Sequence, residues 1–203
     1  MIEISWATPL YEFLRQCNAS PLEKKILDCG AGGAQPPLSL FYQYGYRTYG
    51  IEILEENLAR AQQFCRDQGM ALNILRGDMR DIPFANETFS FVYSFNAIFF
   101  MTKSDVAKAM KEIERVLKPE GLCYVNFKSA DDPDQRPFCE TAPWRRLLSS
   151  ERFALHEDDE ADACFANFDI LRKEKQWIDK RHGGDRLRQV FIEYIAQKTC
   201  SCS

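Results

Sequence analysis

The sequence has only two histidines, His156 and His182, no C-x-x-C pair, and no apolar run approaching the about 18 residues that a membrane-spanning helix needs. The missing ligand spacing argues against a structural zinc site, so no metal is expected, and the missing apolar run argues against a membrane protein. The stretch MIEISWATPLYEFLRQ places Glu3 before any basic residue. It lacks the basic-then-apolar order of a secretory leader, so the expected compartment is the cytoplasm. Positive charge is scarce too: 26 Lys and Arg against 30 Asp and Glu leave a net charge of -4. That balance argues against a non-specific grip on nucleic acid. No internal repeat or low-complexity segment is evident.

What remains is an ordinary soluble composition, 45% hydrophobic and 28% charged over 203 residues, which suits one domain with embellishments. Eight cysteines at positions 17, 29, 65, 123, 139, 164, 200 and 202 are scattered, several beside apolar residues, and read as reduced thiols, mostly in the core. From residue 24 short apolar runs alternate with segments of helical period, the pattern of a mostly parallel sheet covered by helices. Strands are predicted at Lys25 to Cys29, Arg47 to Ile53, Ala71 to Leu75, Phe89 to Ser94 and Leu122 to Phe127. Helices are predicted at Pro37 to Tyr44, at Glu55 to Gln68 ended by Gly69, and from a cap at Ser104 or Asp105 to about Leu117. Residues 130–166 lose the alternation and gather Asp, Pro and Glu around a possible short helix at Trp144 to Leu148. Phe168 to Ile178 and Leu187 to Ala196 alternate like strands about the turn His182-Gly183-Gly184-Asp185, which predicts a terminal β-hairpin. The expected organisation is a single domain over 1–203. It comprises an N-terminal helical cap at 1–23, a ligand-binding core at 24–129, an insertion at 130–166 and a hairpin at 167–198.

The strongest chemical signal is Leu27-Asp28-Cys29-Gly30-Ala31-Gly32-Gly33 at a strand-to-helix turn. There glycines let the backbone approach a ligand and unpaired amides face it. Glu52 ends the second strand 22 residues after Gly30, within range of a group that accepts hydrogen bonds from a ribose diol. Asp78 follows the third strand, and in a doubly wound sheet these carboxyl ends open onto one crevice. Taken singly, each feature also reads as a tight turn or a solvated acid; their joint register favours a nucleoside ligand. A dinucleotide oxidoreductase is the weaker rival, since its G-x-G-x-x-G fingerprint would need glycine where Gln35 stands.

On these residues the chain resembles, over roughly 24–128, the class I S-adenosylmethionine-dependent methyltransferases. Asp28-Cys29-Gly30-Ala31-Gly32 is similar to their first motif and Gly50-Ile51-Glu52-Ile53 to their second. Gly77-Asp78-Met79 with Ile82-Pro83-Phe84 is similar to their third, and Phe89 to Ser94 to their fourth-strand motif. Glu112 to Gly121 is similar to the helix and turn before strand five. The resemblance implies a Rossmann-like, seven-stranded α/β fold with S-adenosylmethionine as cofactor and S-adenosylhomocysteine as product. It implies that Gly30, Ala31 and Gly32, with Asp28 beside them, meet the methionine part and that Glu52 meets the ribose. It also implies Ile53 on the adenine face, Asp78 on the adenine amine, Met79 by its backbone on the ring, Phe95 near the sulfonium and Tyr11 as a cover. The sequence departs from the family at Ala34, at Glu120 where glycine is usual, and at Ser90 where an acid is common.

Methyl transfer is an in-line displacement at a carbon already activated by a positive sulfur, so proximity and alignment supply much of the catalysis and no base is obligatory. A base would help a hydroxyl or carbon acid by roughly 10²-fold. His156, Asp158, Asp159 and Tyr93 are nominal candidates, none assigned, and His156 is expected to be solvated in its acidic loop. The aromatic residues Phe99, Phe100, Phe138, Trp144 and Trp6 are expected mainly in the core. The basic residues Arg172, Lys173, Lys175, Lys180, Arg181, Arg186 and Arg188 are diluted by acids and expected to form a solvated hairpin face. The expected acceptor is a small molecule met by the insertion and the N-terminal segment, nucleic acid is not expected, and the chain is a monomer or homodimer. A non-catalytic module that binds the same cofactor is the alternative kept.

Overall fold

The computed structural model describes residues 8–133, 154–182 and 185–200. Helix α1 (Thr8–Ala19) buries Leu10, Phe13, Leu14 and Cys17, a spacing of three and four that makes one apolar stripe, while Tyr11 lies on its outer side at 42% exposure. Then follow β1 (Lys25–Cys29), α2 (Leu38–Gln43), β2 (Arg47–Glu52), α3 (Glu55–Gln68), β3 (Ile74–Arg76), β4 (Phe89–Ser94), α4 (Lys103–Val116) and β5 (Leu117–Ser129). A two-residue β6 (Leu155–His156) and the long strands β7 (Phe168–His182) and β8 (Asp185–Lys198) complete the sheet.

The strand order is β3-β2-β1-β4-β5-β8-β7, with β6 attached to β5. β1 to β5 are parallel to one another, and β8 runs antiparallel to both β5 and β7. Because Lys128 pairs with Phe191 of β8 and also with Leu155, β6 sits on the β4 side of β5, beyond the last β4 pair at Ser94↔Val125. All six residues of β4 are buried, as expected for a parallel strand covered on both faces. One cover is α1, α2 and α3, where Phe13 meets the rings of Phe41, Tyr93 and Tyr124 at centroid distances of 6.1, 6.3 and 5.9 Å. The other is α4, whose Val106, Met110 and Ile113 pack on Leu27, Val92 and Val125. The chain reverses direction across the sheet between β1 and β4, which opens a crevice at their carboxyl ends.

Several boundaries differ from the sequence expectation for local reasons. β3 begins at Ile74 and not at Ala71, because Asn73 adopts φ 55° and turns its side chain back to the Thr48 carbonyl at 2.9 Å. Helix α4 is capped by Thr102, whose hydroxyl accepts from the Asp105 amide at 3.2 Å; neither Ser104 nor Asp105 is the cap. Glu120 takes φ 62°, the left-handed conformation that explains why glycine is usual at this place, and Leu117 already pairs with Phe89 upstream of that turn. The seven expected strands are present, and β6 is an eighth that the insertion contributes. In the hairpin, His182 pairs with Asp185; the expected turn glycines Gly183 and Gly184 lie outside the described residues. So do the expected helix at Trp144 to Leu148, Phe138, Trp6, Cys139 and Cys202. Of the described cysteines, Cys17, Cys29 and Cys123 are buried, Cys65 and Cys164 partly so, and Cys200 is exposed, all as free thiols.

Candidate functional site

The turn after β1 is pinned from below and crowded from above. The Gly30 and Ala31 amides both donate to the Ile51 carbonyl at 3.0 Å, tying the turn to β2, and the Gly33 amide donates to the Asn57 carbonyl at 3.0 Å. Gly30 has φ +114°, and a Cβ there would lie 2.4 Å from the Ala97 Cβ in the loop after β4. A Cβ on Gly32 would lie 2.2 Å from Oε2 of Glu52. The glycines at 30 and 32 are therefore required by two close approaches, one to the β4 loop and one to the β2 carboxylate.

Glu52 is 7% exposed. Its Oε1 accepts from the Leu54 amide at 2.8 Å. Burial pushes its carboxyl above the usual range, and the amides of Leu54, Gly32 and Ile53 pull it partly back. Behind it Asp28 is buried, and its Oδ2 accepts from the Tyr93 hydroxyl at 2.8 Å. Burial pushes Asp28 up to about 8, against the opposing Tyr93 hydrogen bond and with a further push from the nearby Glu52 charge. Burial behind the turn thus favours the protonated form of Asp28.

The other side of the crevice is ionic. Asp78 Oδ1 accepts from the Arg80 amide at 2.8 Å and from Arg80 Nε at 3.0 Å, and Oδ2 accepts from Arg80 Nη2 at 2.6 Å. Arg80 Nη1 reaches Oδ2 of Asp105, in the first turn of α4, at 3.1 Å. Partial burial alone would raise Asp78, but the Arg80 contacts outweigh it and hold the carboxyl below its ordinary value. After β4, Asn96 adopts φ 55°, its amide donates to Asn126 Oδ1 at 2.7 Å, and Asn126 Nδ2 donates back to Asn96 Oδ1 at 2.7 Å. This reciprocal pair fixes the loop carrying Phe95 and Ala97. Together these segments enclose a cleft of about 510 Å³.

A cleft at the switch point of a doubly wound sheet, with a glycine turn on one lip and an acid at the end of β2, is matched by sequence: residues 27–125 fit the methyltransferase domain family. By this match residues 27–125 are a methyltransferase domain. Among relatives, the domain is similar to the uncharacterized methyltransferase YodH of Bacillus subtilis, 30% identical over 165 residues, which are 79% of this chain and 65% of that protein. It is also similar to a glycine/sarcosine/dimethylglycine N-methyltransferase of Actinopolyspora halophila, 30% identical over 112 residues, 54% of this chain and 20% of that one. The chain thus spans less than two thirds of the length of these relatives. The fold matches that of an S-adenosylmethionine-dependent methyltransferase of Methanosarcina mazei with TM-score 0.71 at 17% identity, covering 98% of this chain and 100% of that one. S-adenosylmethionine is the cofactor of this family and fold, and the cleft fits it. Its volume lies in the small-molecule range, its floor holds a buried carboxylate against a glycine, and its walls include apolar Ile53, Met79 and Phe95.

Of the residues expected at the methyltransferase site, Gly30, Gly32, Glu52, Ile53, Asp78, Met79 and Phe95 line the cleft. Three do not. Asp28 is buried on Tyr93, Ala31 is fully buried with its Cβ against Gly50, and Tyr11 lies on the outer face of α1. His156 departs from expectation: it is 4% exposed, packs on the Phe127 ring at 5.0 Å, and its Nδ1 lies 3.2 Å from the Ala154 carbonyl. The short strand β6 draws it inward, and burial lowers its pKa. Of the other nominal bases, Tyr93 is fully buried, and Asp158 and Asp159 are paired with Lys175 and Lys173 at 2.5 and 2.7 Å. Phe99 is buried as expected, whereas Phe100 lines the cleft with Met101. Among the described residues no group of three acidic, Cys or His side chains is arranged to hold a metal, and no helix is long and apolar enough to cross a membrane. The sequence reading missed Arg80 and Asp105, because their meeting across 25 residues leaves no local pattern.

Proposed function

We propose that the chain binds S-adenosylmethionine in this cleft and methylates a small-molecule acceptor. The observation that carries the placement is the Glu52 carboxylate, buried at the end of β2, set against Gly32 and held by backbone amides. It offers a fixed acceptor for a ribose diol. In this reading the Gly30 to Gly32 turn, backed by Asp28 and Ala31, takes the methionine part. Ile53 and Met79 flank the purine, Asp78 accepts from its amino group, and Phe95 stands near the sulfur. The bound cofactor would supply a methyl group activated by a positive sulfur.

The chain's own contribution is alignment and exclusion of water, since none of the four nominal bases stands free at the cleft. The acceptor side is assigned to residues 130–166 and the N-terminal segment; of these, the described β6 joins the carboxyl end of β5. A small acceptor is favoured because the described basic side chains of the hairpin are already matched by carboxylates. Arg172 pairs with Glu174, Lys173 with Asp162, Lys175 with Asp131 and Arg188 with Asp179. The glycine-derivative methyltransferase among the relatives acts, by its name, on small molecules. Calorimetric titration with S-adenosylmethionine, S-adenosylhomocysteine and NADH tests the reading. Micromolar binding of the first two alone supports it, and no binding of either overturns it.

A further inference from the structure

Among the described residues lining the cleft, Arg80 is the only cation, and it is not idle in solvent. Its guanidinium is forked onto Asp78, with Nε within 3.0 Å of both carboxylate oxygens and Nη2 2.6 Å from Oδ2, while Nη1 spans to Asp105 at 3.1 Å. Two segments that are distant in sequence meet here: the loop after β3, which carries both Asp78 and Arg80, and the first turn of α4. The Asp105 end is secured, because its amide is held by Thr102 and α4 is anchored in the core through Val106 and Met110.

A carboxylate offers about four acceptor directions. Arg80 sets three N–H groups on Asp78, its amide on Oδ1, Nη2 on Oδ2 and Nε shared between the two oxygens, so three donors stand against about four directions. A lone aspartate on a loop would rotate about two side-chain torsions and accept from water or ligand in many geometries. Forked onto a planar guanidinium, its plane is fixed. We infer that Arg80 is a positioning residue for base selectivity: clamped between Asp78 and Asp105, it presents a single Asp78 lone pair in a fixed direction, which accepts from a 6-amino group on the purine and repels a 6-oxo group. This rests on the reading that the purine end of the cofactor lies at Asp78.

The test is the ratio of two affinities, measured by calorimetry with S-adenosylhomocysteine and its 6-oxo analogue S-inosylhomocysteine. The native chain should prefer the amino compound by about 100-fold, the scale of a hydrogen bond to a charged group plus the lost repulsion. Arg80→Ala should reduce that preference to about tenfold or less, because Asp78 is free to turn away. Arg80→Lys, which keeps the charge without the fork, should fall between, and Asp105→Asn should lose about threefold. A purely structural Arg80 would weaken both ligands together, so an unchanged ratio in Arg80→Ala and Arg80→Lys overturns the inference even if both affinities drop. A native chain that binds the amino compound without preferring it, or binds neither, overturns the placement of the purine itself.

Discussion

Glu52 and Asp78 line the same cleft, yet they are held by unlike means. Glu52 lies at the end of a central strand, nearly inaccessible, gripped by backbone amides and pushed toward its neutral form by burial. Asp78 sits on a loop near the sheet edge, about one third exposed, kept ionised by a side chain that another side chain holds in turn. A backbone cradle is rigid and insensitive to salt, but it penalises the charge it holds. An ion-pair clamp preserves the charge and depends on each partner staying in place. In the proposed reading, rigidity at the ribose and charge at the purine are thereby separated between two elements.

The comparison can be broken by removing each device. Glu52→Ala should have the largest effect, lowering affinity for S-adenosylhomocysteine about 100-fold with the thermal melt little changed, since a buried charged acceptor is lost and a glycine turn remains. Gly32→Ala should come next, about 30-fold, because its Cβ would stand 2.2 Å from Oε2 of Glu52 and force the carboxylate away. Asp78→Ala should cost less, about tenfold, read by the same titration, because its site is partly open to water. An Asp78 effect exceeding that of Glu52 would reverse the ranking argued here. Since Glu52 protonates above the ordinary range, binding by the native chain should weaken on acidification sooner than a normal glutamate predicts, and Glu52→Gln should flatten that profile.

The smallest effect on binding is expected at Asp28, behind the cleft, where the signature is stability. With its carboxyl at about 8 in the folded chain against an ordinary 3.8, the folded state keeps a proton that the unfolded chain has released between those values. Stability from this group is therefore full below the lower value and falls as pH rises toward about 8. Asp28→Asn keeps an acceptor for Tyr93 and removes the titration, so its urea midpoints at acidic and mildly alkaline pH should differ less than those of the native chain. An unchanged pH slope would show that Asp28 is ionised when folded.

The central strands and helix α3 were readable because their signals are local: β-branched and aromatic runs, Gly69 in a left-handed cap at φ 63°, and Glu52 at a strand end. The glycine turn was legible for the same reason, with one surplus. Asp28 and Ala31 share its motif but face the interior: Asp28 belongs to a strand buried on both faces, and Ala31 is buried in the turn with its Cβ against Gly50. What was hidden depends on pairing at a distance. β6 has only two residues and exists by pairing with Lys128 and Ser129, so the acidic run after His156 suggested a solvated loop where the histidine is in fact buried. The Arg80 clamp needs Asp105, and no periodicity announces a contact between a loop and a helix start 25 residues on.

The strand order carries a consequence for how the molecule is made. β1 to β5 are complete by residue 129, whereas β7, among the described strands, pairs with β8 alone, which follows it in the chain and lies between β7 and β5. Until β8 is synthesised, the nascent chain carries β1 to β5 with the edge of β5 that β8 will cover still bare, and β7 without its ladder. That interval, more than the folded state, is where the chain is open to pairing with another copy of itself, and where a chaperone would have most to protect.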